Sequence, residues 1–110
     1  MLPLVREPEK FDTLARAAMV ADLDNEMGAG LYVSHHLEEV PAATVATWFP
    51  GVARVAPKAF LARLQLQRIG LYPENGTAVL DYSIDPEVTQ YLLVVSFDRR
   101  GKVTGVAMES

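Results

Sequence analysis

The fold is decided by residues 91–108, which read YLLVVSFDRRGKVTGVAM. The first seven residues are aromatic, valine or leucine apart from one serine, which is the composition of a buried strand. The next four, from Asp98 to Gly101, have the pattern of a type I turn whose glycine occupies the left-handed bulge position. Residues 102–108 return with two valines and a methionine. The stretch therefore predicts an antiparallel hairpin with strands at 91–97 and 102–108.

A second hairpin is predicted upstream of the first. Residues 65–72 and 78–84 have the alternation of strands, and the turn between them contains Asn75 and Gly76. This pair tolerates the positive φ angles that a type I′ turn requires. Residues 85–87, which include a proline, end the second strand. Two hairpins in succession predict a four-stranded antiparallel meander over about 65–109.

The residues before the meander have helical patterns. Pro8 suits a first helical turn, the residue before Pro41 is pushed out of helical geometry, and Pro57 opens another helix. We predict helical segments at residues 9–21, 31–40, 44–49 and from 57 to about 64. A chain of 110 residues fits a single domain, 1–110. The expected fold is therefore α+β, with N-terminal helices (about 9–64) packed on the C-terminal meander.

Composition narrows the expected class of protein. The chain has no cysteine, which removes disulfides, thiol nucleophiles and cysteine-bound zinc, and which is usual in the cytosol. Its first residues lack the basic leader and apolar run of a signal peptide, and no stretch reaches the ~18 apolar residues of a membrane-spanning helix. We therefore expect a cytoplasmic protein.

Charge is distributed unevenly along the chain. The net charge is −4, and residues 1–50 carry three basic side chains against eight acidic ones. An acidic half disfavours nucleic acid and anionic membranes as partners, and it favours a basic protein surface. The alternative is a solvated acidic face that serves only solubility.

Several segments resemble a small bacterial domain family of unknown function. These segments are RIGLYPE (68–74), DYSI (81–84), YLLVVSFD (91–98), Gly101, MES (108–110) and the upstream helix YVSHHLEE (32–39). The chain departs from the family at its front, where members usually carry a β-rich portion. Proteins of this kind are similar to immunity proteins of polymorphic and contact-dependent toxin systems. The resemblance implies a small acidic inhibitor of a sibling toxin, and it brings no catalytic residues.

No residue pattern predicts chemistry. His35 or His36 could pair with Glu39 along a helix, but a zinc site needs further ligands, and adjacent helical side chains point about 100° apart. The acidic loop that begins at Asp22 lacks the glycine and glutamate of a calcium loop. No nucleophile, base and stabiliser are grouped in the sequence. We therefore predict no catalytic residues, no metal and no cofactor.

The preferred hypothesis is an immunity protein that binds a cognate toxin domain, specifically a nuclease, and blocks its basic cleft. The expected partner-binding residues are five carboxylates and two aromatic anchors: Asp22, Asp24, Glu26, Glu38, Glu39, Tyr32 and Trp48. Large apolar side chains are usually buried, so the core is the alternative place for Trp48. The rival hypothesis is a non-catalytic accessory domain that forms a homodimer through an exposed sheet edge.

Overall fold

The computed structural model describes residues 7–110, and it confirms the α+β fold with a C-terminal meander. The strands are β1 (Gln65–Tyr72), β2 (Thr77–Ser83), β3 (Leu92–Phe97) and β4 (Val103–Glu109). They form one antiparallel sheet in the order β1-β2-β3-β4. Each observed strand lies within one residue of the predicted one, because alternating apolar residues and turn residues are local signals.

One of the two predicted turns is confirmed and the other is wrong. Gly101 has a φ of 80°, and its N–H donates to the carbonyl of Asp98, as the bulged type I turn requires. The β1–β2 connection is not a type I′ turn. It is a four-residue loop in which only Gly76 has a positive φ, 71°, and the N–H groups of Asn75 and Gly76 both donate to the carbonyl of Tyr72. Pro73 explains the difference, because its ring fixes φ near −65° and starts a right-handed turn.

An irregularity in β1 explains the unusual apolar spacing of that strand. Leu66 pairs with Tyr82 and Ile69 pairs with Leu80, so the register shifts at Gln67. A β-bulge inserts one extra residue without a partner. Two apolar residues three positions apart therefore lie on the same face of the sheet, although strict alternation would place them on opposite faces.

Four helices precede the sheet, and their bounds are close to the predictions. They are α1 (Pro8–Ala21), α2 (Ala29–Glu39), α3 (Ala42–Trp48) and α4 (Pro57–Ala62). Helix α2 begins two residues before the predicted start. The earlier start is explained by a side chain outside the helix. Asp22 Oδ2 accepts the N–H of Ala29 at 2.8 Å and so satisfies a backbone donor of the first helical turn.

The helices cover one face of the sheet and form a single core with it. Phe11 of α1 packs edge-to-face on Phe97 of β3 at a ring-centroid distance of 5.2 Å. Asp12 accepts a hydrogen bond of 2.6 Å from the hydroxyl of Tyr82, which fixes α1 over β2. Phe60 of α4 is fully buried among the aromatic rings of the other helices. The apolar residues of helices and strands therefore share one interior.

Candidate partner-binding site

An open, largely apolar cavity of about 460 Å³ lies beside α2. It is formed by the α1–α2 connection, the outer side of α2 and the first residue of α4. The lining residues are Leu23, Asp24, Gly30, Val33, Ser34, Leu37, Glu38 and Pro57. A volume in this range is typical of protein cavities that take ligands or side chains, roughly 300–1,000 Å³. We call this feature the acidic cavity.

Close packing of the backbone shapes the cavity at Gly30. A Cβ atom at this position would stand 2.5 Å from the carbonyl oxygen of Leu23 and 2.8 Å from that of Asn25. Real Cβ atoms do not approach a carbonyl oxygen so closely, so the α1–α2 connection can lie against α2 only where glycine is present. The connection thereby brings Asp24 next to the outer side of α2.

Two of the five predicted carboxylates meet at this cavity. Asp24 and Glu38 both line it, and both are exposed to solvent. Within residues 7–110, neither takes part in an ion pair. Glu26 and Glu39 are also exposed, but they do not line the cavity. The structure therefore groups an apolar floor with two solvated negative charges, an arrangement that suits a side chain with an apolar stem and a cationic end.

The fifth carboxylate, Asp22, has a structural role that the sequence analysis missed. Besides accepting the N–H of Ala29, it accepts a hydrogen bond from the side-chain amide of Asn25 at 3.2 Å. A carboxylate at the start of α2 also lies at the positive end of that helix dipole. Asp22 is consequently occupied in holding the α1–α2 connection, and its role in binding a partner stays a prediction.

The prediction of Tyr32 as a surface anchor is wrong for this structure. The side chain is 0% exposed, and its hydroxyl donates to the carbonyl of Tyr91 and accepts the N–H of Ile84, both at 3.1 Å. Burial raises the pKa of Tyr32 above its ordinary value because the phenolate would lose its solvation. The hydrogen bonds of Tyr32 therefore join α2 to the two ends of the β2–β3 connection.

Trp48 is likewise buried, in agreement with the alternative given for it. It is 5% exposed, and its indole N–H donates to Asp85 Oδ2 at 3.0 Å. The carbonyl of Trp48 accepts a hydrogen bond from Arg63 Nε at 2.8 Å. The side chain holds the end of α3 against the β2–β3 connection, so it is not available as a surface anchor.

His36 completes the attachment of the β2–β3 connection. Its Nδ1 lies 2.7 Å from the carbonyl oxygen of Tyr32, which can only accept, so Nδ1 carries the proton. Its Nε2 accepts the hydroxyl of Thr89 at 2.9 Å. Desolvation lowers the pKa of His36, which favours this neutral form. Both ring nitrogens are therefore used within the fold.

The structure offers no cluster of metal ligands in its described part. Among residues 7–110, no three histidine, cysteine, aspartate or glutamate side chains are grouped closely enough to hold a metal ion. His35, the neighbour of His36, packs edge-to-face on Tyr91 at 5.0 Å between ring centroids. The two histidines thus pack into the helix–sheet junction.

The apolar residues of the cavity were not predicted as site residues. Leu23, Leu37 and Pro57 come from three segments that meet only in the folded chain. The burial of Tyr32 had a recognisable signal, because Ala29, Tyr32, Val33 and His36 follow the i, i+3, i+4, i+7 spacing of a buried helix face. No comparable local signal marks the cavity.

Comparisons with known proteins leave the family open. The chain matches no protein family model, no curated protein and no solved structure. The resemblance to a bacterial domain family therefore stays a prediction. Within residues 7–110, no helix combines the length and the apolar character needed to cross a membrane.

Proposed function

We propose that this protein is a cytoplasmic, non-catalytic inhibitor of the immunity type, which binds a cognate basic toxin domain through its acidic helical side. The acidic cavity carries the proposal, because Asp24 and Glu38 stand at the rim of an exposed apolar depression. The uneven charge of the chain supports it, since residues 1–50 carry three basic against eight acidic side chains, a net charge of −5, whereas the whole chain carries −4. The resemblance to immunity proteins motivates the toxin as partner.

Physically, charged and apolar contacts have different roles in such a complex. A toxin that cleaves nucleic acid needs a positive cleft to hold phosphates. Exposed carboxylates raise the rate of association with such a cleft, whereas desolvated apolar contacts lengthen the life of the complex. Inhibition then needs no chemistry, because occupation of the cleft excludes the nucleic acid.

The test uses the protein encoded by the reading frame next to this one, as the candidate toxin, mixed with this chain at micromolar concentration. We expect a 1:1 complex by calorimetry, a loss of the domain's nuclease activity, and a faster association at low salt. The double substitution Asp24→Asn with Glu38→Gln removes two charges at the cavity. Its matched control, Glu74→Gln with Glu87→Gln, removes two exposed charges from the sheet connections. Absence of a complex would contradict the proposal, and equal weakening by both variants would contradict the acidic helical side as its binding surface.

One observation favours the rival, a homodimeric accessory domain. Strand β4 is a sheet edge without proline, and its one charged residue, Glu109, stands at its last position, so most of the edge lacks the usual protections. Sizing chromatography with light scattering separates the two proposals. A stable dimer that ignores the toxin domain supports the rival, and a monomer that forms a 1:1 complex supports the inhibitor.

A further inference from the structure

A second cavity adjoins the acidic cavity through a shared side chain. It has a volume of about 330 Å³, and Leu37 lines both cavities. The other lining residues come from α3 and the segment before α4: Ala42, Val45, Ala46, Val52, Ala53, Arg54 and Val55. Val52 is 51% exposed, so apolar surface in this depression faces solvent. The two cavities therefore meet at Leu37, and we call the pair of them the groove.

The charge of the lining side chains differs in sign between the two cavities of the groove. Asp24 and Glu38 line the acidic cavity, and Arg54 lines the second cavity. All three side chains are exposed, so each remains solvated in the free protein. A groove with an apolar floor and opposite charges in its two cavities discriminates between occupants by charge as well as by shape. A cation is favoured only in the acidic cavity.

We infer that the groove binds a linear segment of the partner, with a leucine-sized side chain in the acidic cavity and an adjacent lysine or arginine contacting Asp24 and Glu38. This inference rests on the proposed function for the identity of the partner, but not for the chemistry of the groove. A linear segment fits because the floor consists of two joined depressions about Leu37. Lysine and arginine fit because their long stems lie on apolar surface while the charged ends reach the rim.

The inference is tested on the intact protein with two dipeptide probes. These are N-acetyl-leucyl-lysine amide and N-acetyl-leucyl-glutamate amide, titrated into ¹⁵N-labelled protein and followed by NMR. We expect the lysine probe to shift the amide signals of Leu23, Val33 and Leu37 with a millimolar Kd. The glutamate probe should bind roughly two- to tenfold more weakly, the range expected for exposed charge contacts.

Variants decide whether the carboxylates cause the preference. Asp24→Asn with Glu38→Gln should remove the difference between the probes, whereas the control Glu74→Gln with Glu87→Gln should keep it. Because all four side chains are exposed, these substitutions leave the core intact. The inference is overturned if neither probe shifts the groove signals, if both bind equally to the unaltered protein, or if the control variant loses the preference.

The outcomes separate this inference from the proposed function. If the toxin domain binds tightly and the Asp24/Glu38 variant binds as well as the control, the groove inference fails while an inhibitor that uses another surface survives. If the lysine probe binds at the groove and no toxin domain does, the groove inference stands and the proposed function fails.

Discussion

Tyr32→Phe tests whether the hydroxyl of this tyrosine stabilises the fold by joining α2 to the β2–β3 connection. The substitution keeps the buried ring, which packs on His36 at a centroid distance of 4.2 Å, and removes only the hydroxyl. That hydroxyl joins α2 to both ends of the β2–β3 connection, through the N–H of Ile84 and the carbonyl of Tyr91. We expect a loss of stability without a change of fold.

The magnitude follows from the surroundings of the two partners. Ile84 is 2% exposed, so its N–H is left without a partner, which costs about 1–3 kcal/mol. Tyr91 is half-buried, so its carbonyl can turn to water, and the loss there is one net hydrogen bond, about 0.5–1.5 kcal/mol. Removal of a buried hydroxyl offsets part of this. We expect a decrease of about 2–3 kcal/mol in the free energy of unfolding, or roughly 8–15 °C in Tm.

The assay is urea unfolding at pH 7, followed by the fluorescence of Trp48, the single tryptophan. Tyr72→Phe is the matched control, because Tyr72 is 45% exposed, and its change should stay within about 0.5 kcal/mol. A Tyr32→Phe protein as stable as the control would refute the reasoning.

Two further predictions concern pH and backbone geometry. Burial lowers the pKa of His36 in the folded protein below the ordinary histidine pKa of about 6.5, so at pH values below 6.5 the unfolded chain binds more protons than the folded one. The free energy of unfolding should therefore fall as pH decreases below 6.5 and stay level above it. Urea titrations from pH 7.5 to 5 should show that this pH-dependent loss of stability is smaller in His36→Gln and unchanged in His35→Gln. An unchanged loss in His36→Gln would contradict its assignment to His36. Gly101→Ala should destabilise by about 1–3 kcal/mol, since φ is 80° and the new methyl would stand 3.2 Å from the ring of Phe11. Gly51 has a similar φ of 78°, but a methyl group there would meet open space, so Gly51→Ala should lose less stability than Gly101→Ala. Equal Tm values for the two variants would show that the contact with the Phe11 ring costs nothing.

Local signals in the sequence predicted most of the fold. The strands and the bulged turn at Gly101 depend on residues that are neighbours along the chain, so they were placed within one residue. The wrong turn type at Asn75 has the same local character, because Pro73 fixes φ at the start of the turn and outweighs the preference of the Asn-Gly pair. The early start of α2 was missed because its capping carboxylate, Asp22, lies seven residues before the N–H that it binds.

The candidate site could be predicted only in part. Composition showed that the first half of the chain is acidic, and Asp24 and Glu38 were among the predicted residues. Sequence could not show that these two share a cavity with Leu37 and Pro57, since the contact joins three separate segments. The choice of Tyr32 and Trp48 as anchors failed because aromatic residues serve interfaces and cores equally well.

The sequence by itself determined the succession of helices and strands, the meander and the excess of acidic side chains, because periodicity, turn residues and charge are properties of short stretches. Only the tertiary structure decided which aromatic side chains are buried and which carboxylates meet at an apolar floor. Those outcomes depend on packing between segments far apart in the chain, where the burial of one side chain is settled by what lies opposite it.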